Sequence, residues 1–331
     1  MVKHLLIFSL LINILYFNSL ANADTYSGKG ITVAVIDSGI NSTHPQLRHV
    51  TRHYCFSENW DKENNYKKAS CQNNYHGSNN PADHGTHVAG IIAAKPLSGG
   101  APTGVAPQAD IVNLRVLHQA NNGSNFDIAA ALKAIDSNPE LQDVKIINMS
   151  LGSRSFSSWS CVPPTGPARE IKKYINKLTQ KGIIVVAASG NEGFSVFKDF
   201  PACLDNVIAV GAYKENMENK ETIAEQQRFA HTEVLAPGYN IISTNENFDL
   251  MDKDSLSKID SGTSMATPAV AGCIALMAEK NPYINTEKVK NIFNTTFQKK
   301  LQKNTKKKQA AVLDCIAVLN NTPTAKLVSQ K

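Results

Sequence analysis

Ser264 has the sequence surroundings of a nucleophile. It lies in Gly262-Thr263-Ser264-Met265-Ala266-Thr267-Pro268, where Gly262 permits a tight turn and a predicted helix runs on to Lys280. Unpaired N–H groups and the positive dipole end at the start of a helix favour developing negative charge beside Ser264. An ordinary capping serine has the same surroundings, so this stretch alone assigns no function.

Two other segments offer an acid and a base. Asp37 directly follows an apolar strand predicted at 31–36, and α/β proteins place their chemistry at the carboxyl ends of such strands. His84 begins a predicted helix at 84–94, and His87 follows about one turn later. Two histidines three residues apart are a candidate metal pair, but no carboxylate directly follows His84 as in a zinc-protease helix. We therefore interpret His84 as a general base and His87 as structural.

Asn191 follows another predicted strand, at 183–188, in the stretch Ser189-Gly190-Asn191-Glu192-Gly193. An asparagine between glycines can satisfy a left-handed turn. Its side-chain amide can equally donate a hydrogen bond to an oxyanion. From the residues alone, both interpretations stay open.

Aliphatic runs alternate with amphipathic helical patterns along the chain. This alternation predicts an α/β fold with a mostly parallel central sheet and helices on both faces. The predicted strands lie at 31–36, 110–117, 144–149, 183–188, 207–210 and 232–235, and the helices at 84–94, 126–136, 167–180, 264–280 and 312–319. Residues 41–80 are predicted to be a polar loop, and we interpret its histidines as exposed rather than metal-binding: His44, His49 and His53.

Residues 1–23 have the pattern of a signal peptide. Lys3 and His4 precede an apolar run at 5–17, and Ala21-Asn22-Ala23 matches a cleavage site. The apolar run is shorter than the roughly 20 residues that a spanning helix needs, so no stable membrane anchor is predicted. The remaining residues, 24–331, are predicted to form a single domain that is secreted or periplasmic.

Six cysteines in an exported chain suggest disulfides, although six allow fifteen full pairings. We favour Cys55–Cys71, which closes a polar loop, and Cys161–Cys203, which joins two loops flanking one strand. For Cys273, a buried thiol and a bond to Cys315 are equally acceptable.

The net charge of +6 is local rather than general. Ten lysines lie between Thr286 and Lys331, and they are densest in the segment 299–308. No aromatic residues or binding motif accompany this Lys-rich segment, so a solvated loop is predicted and nucleic acid is not a predicted partner.

Together and in this order, four segments resemble those of the subtilisin-like serine proteases, the subtilases, whose triad order is Asp, His, Ser. The four segments are Asp37-Ser38-Gly39-Ile40, His84-Gly85-Thr86-His87-Val88-Ala89-Gly90, Ser189-Gly190-Asn191-Glu192-Gly193 and Gly262-Thr263-Ser264-Met265-Ala266-Thr267-Pro268. The resemblance implies a subtilisin-like three-layer fold and a secreted serine endopeptidase that cleaves polypeptides through an acyl-enzyme intermediate. It implies a triad of Asp37, His84 and Ser264, with Asn191 as the oxyanion donor.

The resemblance also implies where a peptide substrate would lie. Two segments would flank an extended peptide, and a third would surround the first specificity pocket. These implied substrate-binding residues are Gly123, Ser124, Asn125, Ser150, Leu151, Gly152, Ala188, Gly190 and Glu192.

The chain departs from the family pattern at a position where the best-known relatives have an acidic calcium ligand. The family's His-Pro-Asp-Leu motif here is His44-Pro45-Gln46-Leu47, and the loop at 95–100 lacks the Asn-rich pattern of the other ligands. Calcium prefers several oxygen ligands with carboxylates among them. No metal or other cofactor is therefore assigned, although calcium at another position stays open.

A second departure is that no inhibitory pro-domain is apparent between residue 24 and the first strand. Two alternatives then stay open, unassisted folding and folding with a separate helper. A separate inhibitor is also possible, and a monomer is predicted. The missing pro-domain also supports an alternative function: a catalytically inactive subtilase-like protein that binds peptides or a partner protein. The presence of all three triad residues and Asn191 favours the enzyme.

Overall fold

The structure is a computed structural model, and it describes residues 26–56, 67–68, 83–97, 101–117, 122–154, 161, 166–191, 199–215, 222–226, 232–298 and 311–325. Its strands are β1 (Thr32–Asp37), β2 (Arg52–Cys55), β3 (Lys67–Lys68), β4 (Asp110–Arg115), β5 (Val144–Met149), β6 (Ser153–Arg154), β7 (Ile184–Ala188), β8 (Asp199–Phe200), β9 (Val207–Glu215), β10 (Thr222–Gln226), β11 (Val234–Pro237), β12 (Ile241–Thr244), β13 (Ser257–Asp260) and β14 (Ala311–Val312). Its α-helices are α1 (Asp83–Ala93), α2 (Asn125–Ser137), α3 (Pro167–Gln180), α4 (Thr263–Lys280), α5 (Thr286–Gln298) and α6 (Cys315–Asn321).

One large sheet forms the centre of the fold. Its strand order is β14-β11-β9-β7-β5-β1-β4-β2-β3, with β10 paired to β9. Every neighbouring pair from β14 to β2 is parallel, while β3 and β10 pair in the antiparallel direction. The predicted α/β fold with a mostly parallel sheet is therefore confirmed.

The sheet is buried on both faces because its strands alternate between two cores. Val33 and Val35 of β1 pack into the core that contains α1 and α4, while Ala34 and Ile36 pack into the core that contains α2 and α3. The central helix α4 is buried along almost its whole length, as expected for a helix that is apolar all round. The layers thus hold the carboxyl ends of β1, β5 and β7 side by side.

Two predictions for residues 41–80 are wrong. The segment contains β2, which pairs with β4. His44 and His53 are buried and His49 is half-buried, so none of the three is exposed as predicted. Each buried imidazole forms a hydrogen bond of 3.0 Å between Nε2 and a backbone carbonyl oxygen. The partner of His44 is Leu256, and the partner of His53 is Val50. Burial lowers the pKa of each ring, so both are stable as neutral hydrogen-bonding groups in a core. The polar composition of residues 41–80 therefore gave no indication of β2, a strand with buried residues.

Disulfides join elements that are distant in the sequence. The predicted Cys161–Cys203 bond is confirmed, and Cys273 in α4 is bonded to Cys315 in α6. Cys55 is also disulfide-bonded, but its predicted partner Cys71 lies outside the described residues. The predicted signal peptide at 1–23 and the Lys-rich segment at 299–308 also lie outside them. No helix within the described ranges has the length and hydropathy needed to cross a membrane.

The two fully described disulfides allow a matched stability test, because each spans 42 residues. Replacing either cysteine pair by alanine is expected to lower the free energy of unfolding by about 4 kcal/mol if loop entropy dominates. Cys273 and Cys315 are both buried, so their removal should cost more through the cavity that remains. Urea unfolding of the two double variants would measure the difference, and a larger loss for the Cys161–Cys203 pair would contradict this account.

Candidate active site

Asp37 and His84 form a hydrogen-bonded pair at the carboxyl end of β1. His84 Nδ1 lies 2.8 Å from Asp37 Oδ1, which also accepts a hydrogen bond of 2.6 Å from the Ser38 backbone N–H. Because Oδ1 is an acceptor for both, the proton of the neutral imidazole belongs on Nδ1, and Nε2 is left as a base. The Asp37 side chain is fully buried, whereas 15% of the His84 side chain is exposed.

A close contact between two backbones places α1 against the end of β1. The Ser38 hydroxyl accepts a hydrogen bond of 2.9 Å from the Gly85 N–H. This N–H lies at the start of α1, where backbone donors have no acceptor within the helix. A Cβ atom at Gly85 would collide with the Gly39 carbonyl oxygen. Glycine at position 85 therefore lets His84 approach Asp37.

The surroundings of His84 favour its protonated form. Burial alone would lower the pKa of His84, but the Asp37 carboxylate, by charge and by hydrogen bond, and the charge of Asp260 raise it above the ordinary histidine value. Asp260 ends β13, which pairs with β12. This β12–β13 pair is fixed beside α1 because His87 Nε2 lies 3.1 Å from the Ile241 oxygen and 3.3 Å from the Lys258 oxygen.

Ser264 lies in the first turn of α4 and is held against the end of β5. Its hydroxyl donates to the Ser150 carbonyl oxygen at 3.1 Å, and the Ser150 hydroxyl donates back to the Ser264 carbonyl oxygen at 2.9 Å. Within the described residues, Ser264 Oγ makes no hydrogen bond to His84. Reaching His84 Nε2 would require the Ser264 hydroxyl to leave Ser150.

Asn191 reaches the same helix start from the end of β7. Its Oδ1 accepts hydrogen bonds of 2.9 Å from both the backbone N–H and the hydroxyl of Thr263. These donors fix the side-chain oxygen towards Thr263 and leave Nδ2 as a donor. Among the described residues, neither Asn191 Nδ2 nor the Ser264 backbone N–H has a hydrogen-bond acceptor. Two N–H donors are thus available beside the Ser264 hydroxyl.

The structure also locates the predicted substrate-binding segments. Gly152 is exposed at the end of β5, and a Cβ built on it would lie 3.8 Å from the Ala188 oxygen, so these two segments are neighbours. Gly123 and Ser124 are exposed after β4, and Ser124 caps α2 through the Asp127 N–H. The ends of β4 and β5 flank β1 on opposite sides. Ser150, Leu151, Asn125 and Gly190 belong to these segments, whereas Glu192 lies outside the described residues.

Sequence reasoning assigned no positioning role to Ser150, Asn148 or Asp260. Asn148 is fully buried in β5, and its Nδ2 donates to the Ser150 hydroxyl at 3.0 Å, which directs that hydroxyl towards Ser264. An asparagine among the apolar residues of a buried strand is the signal that could have revealed these hydrogen bonds. The sequence carries no comparable signal for Asp260, because a carboxylate on a polar strand is common.

Comparisons with known proteins agree with this architecture. The sequence model of the Subtilase family matches residues 28–312. Subtilisin Savinase of Lederbergia lenta is 35% identical over 270 residues, which cover 82% of this chain and 84% of that protein. The Alkaline protease of Alkalihalobacillus alcalophilus has the same identity, but the match covers 60% of its length. The solved structure of Sphericase has a TM-score of 0.67 at 29% identity, covering 86% of this chain and 89% of that one.

The charge of Asp260 is expected to contribute measurably to the pKa of His84. An Asp260→Asn variant should show a lower His84 pKa than the parent, because one of the carboxylates that stabilise the imidazolium is removed. NMR titration of the His84 ring would measure the change. Asp254→Asn, a change of an exposed carboxylate in the same segment, is the control and should leave the midpoint unchanged. Equal midpoints in the parent and Asp260→Asn would contradict the assignment.

His87 should make the fold sensitive to acid. Burial lowers the pKa of His87 to about 4 in the folded chain, whereas the ordinary value in an unfolded chain is about 6.5. Between these pH values the unfolded chain binds a proton at His87 and the folded chain does not. The free energy of unfolding is therefore expected to fall as the pH drops from about 6.5 towards 4. Urea unfolding at several pH values should show a smaller slope for His87→Gln than for the parent. The same slope in both would exclude His87 as a cause.

Proposed function

Because this chain belongs to the subtilase family of serine endopeptidases, we propose that it cleaves polypeptides with Ser264 as nucleophile, His84 as general base and Asp37 as the group that orients His84. The hydrogen bond from His84 Nδ1 to Asp37 is the observation that carries this proposal. It leaves His84 Nε2 unprotonated in the neutral ring, and that nitrogen is the base that a serine hydroxyl requires.

The proposed reaction begins when the Ser264 hydroxyl turns from Ser150 towards His84 Nε2. The proton passes to Nε2 as Oγ attacks the peptide carbonyl carbon, and the carbonyl oxygen becomes an oxyanion. Collapse of the tetrahedral intermediate breaks the C–N bond, and the leaving amine takes the proton from His84. Water then attacks the acyl-enzyme ester and gives a proton to His84. When the second tetrahedral intermediate collapses, the ester C–O bond breaks and Ser264 Oγ takes that proton from His84, which restores both residues.

The oxyanion would be stabilised by the Asn191 amide and the Ser264 backbone N–H. Both donors lack acceptors among the described residues, and Asn191 is already fixed through its Oδ1. Donors that are in place before the reaction need no reorganisation as charge develops. The first turn of α4 adds the positive end of its dipole.

A peptide substrate would lie along the segments that end β4 and β5. Gly123, Ser124 and Gly152 are exposed there. The Ser124 carbonyl oxygen already accepts from the N–H groups of Asp127 and Ile128, so an extended chain would pair with other backbone groups of these segments. Ala188, Gly190 and Glu192 would surround the first specificity pocket. We further infer export through the signal peptide and action as a monomer.

Two measurements separate this function from an inactive peptide-binding protein. A serine-directed fluorophosphonate should label Ser264 covalently, and the labelled position can be identified by peptide mass spectrometry. Purified protein should then cleave casein. Binding of casein without labelling or cleavage would favour the inactive alternative, whereas labelling without casein cleavage would overturn the endopeptidase activity.

Asn191→Ala is expected to lower kcat by about 10² to 10³, the loss known for one such donor in a subtilisin, with a smaller effect on KM. Ser264→Ala should abolish turnover while leaving the fold intact. Asn206→Ala is a suitable control because it removes a half-buried amide whose hydrogen bonds, among the described residues, go to Asn176 and Thr179 of α3. Kinetics on a chromogenic peptide would measure all three. An Asn191→Ala variant as fast as the control would contradict the oxyanion role.

A further inference from the structure

The Gln46 side chain joins two parts of the loop that follows α1. Its Nε2 donates to the Lys95 carbonyl oxygen at 2.9 Å and to the Pro102 carbonyl oxygen at 2.8 Å. The Gln46 backbone oxygen also accepts from the Lys95 N–H at 3.0 Å. Gln46 is 1% exposed, so these contacts are made away from water. One amide group thus satisfies carbonyl groups seven residues apart in the sequence.

Two carbonyl oxygens that converge inside a protein need a positive partner. A cation can supply it, and so can an N–H₂ group, because each amide proton carries partial positive charge and pairs with one lone pair. Gln46 supplies two donors from one nitrogen, and both are used. Unpaired carbonyl groups at these positions would pay the cost of desolvation without a hydrogen bond.

The residues around Gln46 do not fit the calcium site of the better-known subtilases. The family's acidic ligand is replaced by Gln46, whose amide protons face the carbonyl oxygens that a cation would need. Lys95, which provides one of these carbonyls, also carries a positive side chain, whose charge adds to burial in lowering the pKa of His49. Within the described residues, Lys95 has no carboxylate partner. Both features oppose a divalent cation here.

We propose that the Gln46 amide replaces calcium in this subtilase and holds Lys95 and Pro102 together without a metal. The consequence is local: the contact of these two residues with Gln46 does not depend on calcium. The competing arrangement is a Gln46 amide turned by 180°, which would bring its Oε1 and the two carbonyl oxygens around a cation. Gln46 Oε1 has no hydrogen-bond partner in the described structure, so this alternative has to be tested directly.

Thermal unfolding of the full chain in a Ser264→Ala background tests the proposal without interference from self-cleavage. Gln46→Ala is expected to unfold roughly 5 °C below the parent, because two carbonyl groups lose their donors. The parent and Gln46→Ala should respond equally to calcium chloride and to EDTA. Any calcium response that both share would come from another site.

Gln46→Glu tests whether a carboxylate at this position makes the protein depend on calcium. Its carboxylate would face two carbonyl oxygens, so the protein should unfold well below the parent in EDTA and recover in calcium chloride. An ion at a hundred times its dissociation constant should raise the midpoint by roughly 5 to 10 °C. Gln142→Glu is the matched control, because the Gln142 amide also donates to two carbonyl oxygens, those of Ile135 and Asn138, but on the surface. It should show no calcium response.

Two results would overturn the proposal. One is a rise of several degrees in the parent with calcium that Gln46→Ala abolishes, which would show a cation held by a turned amide. The other is a Gln46→Ala or Gln46→Glu variant that unfolds in EDTA at the parent's temperature, which would show that the loop needs no donor at this position. Neither result depends on proteolytic activity, so both are independent of the proposed function.

Discussion

The hydrogen bond between Asp37 and His84 constrains how closely α1 can lie against the end of β1. A distance of 2.8 Å between Oδ1 and Nδ1 requires the start of α1 to touch the turn after β1. Only a residue without Cβ fits at position 85, and the Ser38 hydroxyl satisfies an N–H that this contact would otherwise leave unpaired. The sheet in turn must bury β1 completely, so that the Asp37 carboxylate is removed from water.

A second constraint acts on the start of α4, which is held from two strands at once. Ser150 at the end of β5 contacts Ser264, and Asn191 after β7 contacts Thr263. These contacts use the carbonyl of Ser264 and the N–H of Thr263, and they leave the N–H of Ser264 without an acceptor among the described residues. At the start of a helix, a capping side chain usually accepts a hydrogen bond from such a donor. Here Gly262 precedes the helix and provides no side-chain cap, so the donor stays available.

Much of the fold was predictable because its strands are buried on both faces. The aliphatic runs at β5 and the apolar stripe of α3 gave the observed bounds, since these patterns depend on local periodicity. β2 was missed because histidine is rarely read as a core residue, although a neutral, hydrogen-bonded imidazole is well suited to burial. The β12–β13 pair and α5 were missed because their sequences are rich in polar residues.

For the candidate site, the sequence predicted which residues belong to it but not how their side chains are arranged. The motifs named Asp37, His84, Asn191 and Ser264, but no local pattern gives the direction of the Ser264 hydroxyl or the proximity of Asp260. Those properties arise where segments far apart in the sequence meet. The exchange of a carboxylate for an amide at Gln46 was visible in the sequence, whereas its two hydrogen bonds were not.

The order of the strands has a consequence for a chain that is still being made. Asp37 and His84 come from the first third of the sequence, whereas Ser264 lies beyond the middle strands of the sheet and enters last. A chain that is still emerging from the ribosome therefore carries Asp37 and His84 long before it carries Ser264. Under the proposed function, such a half-made chain lacks its nucleophile, so peptide-bond cleavage would begin only when synthesis is nearly finished.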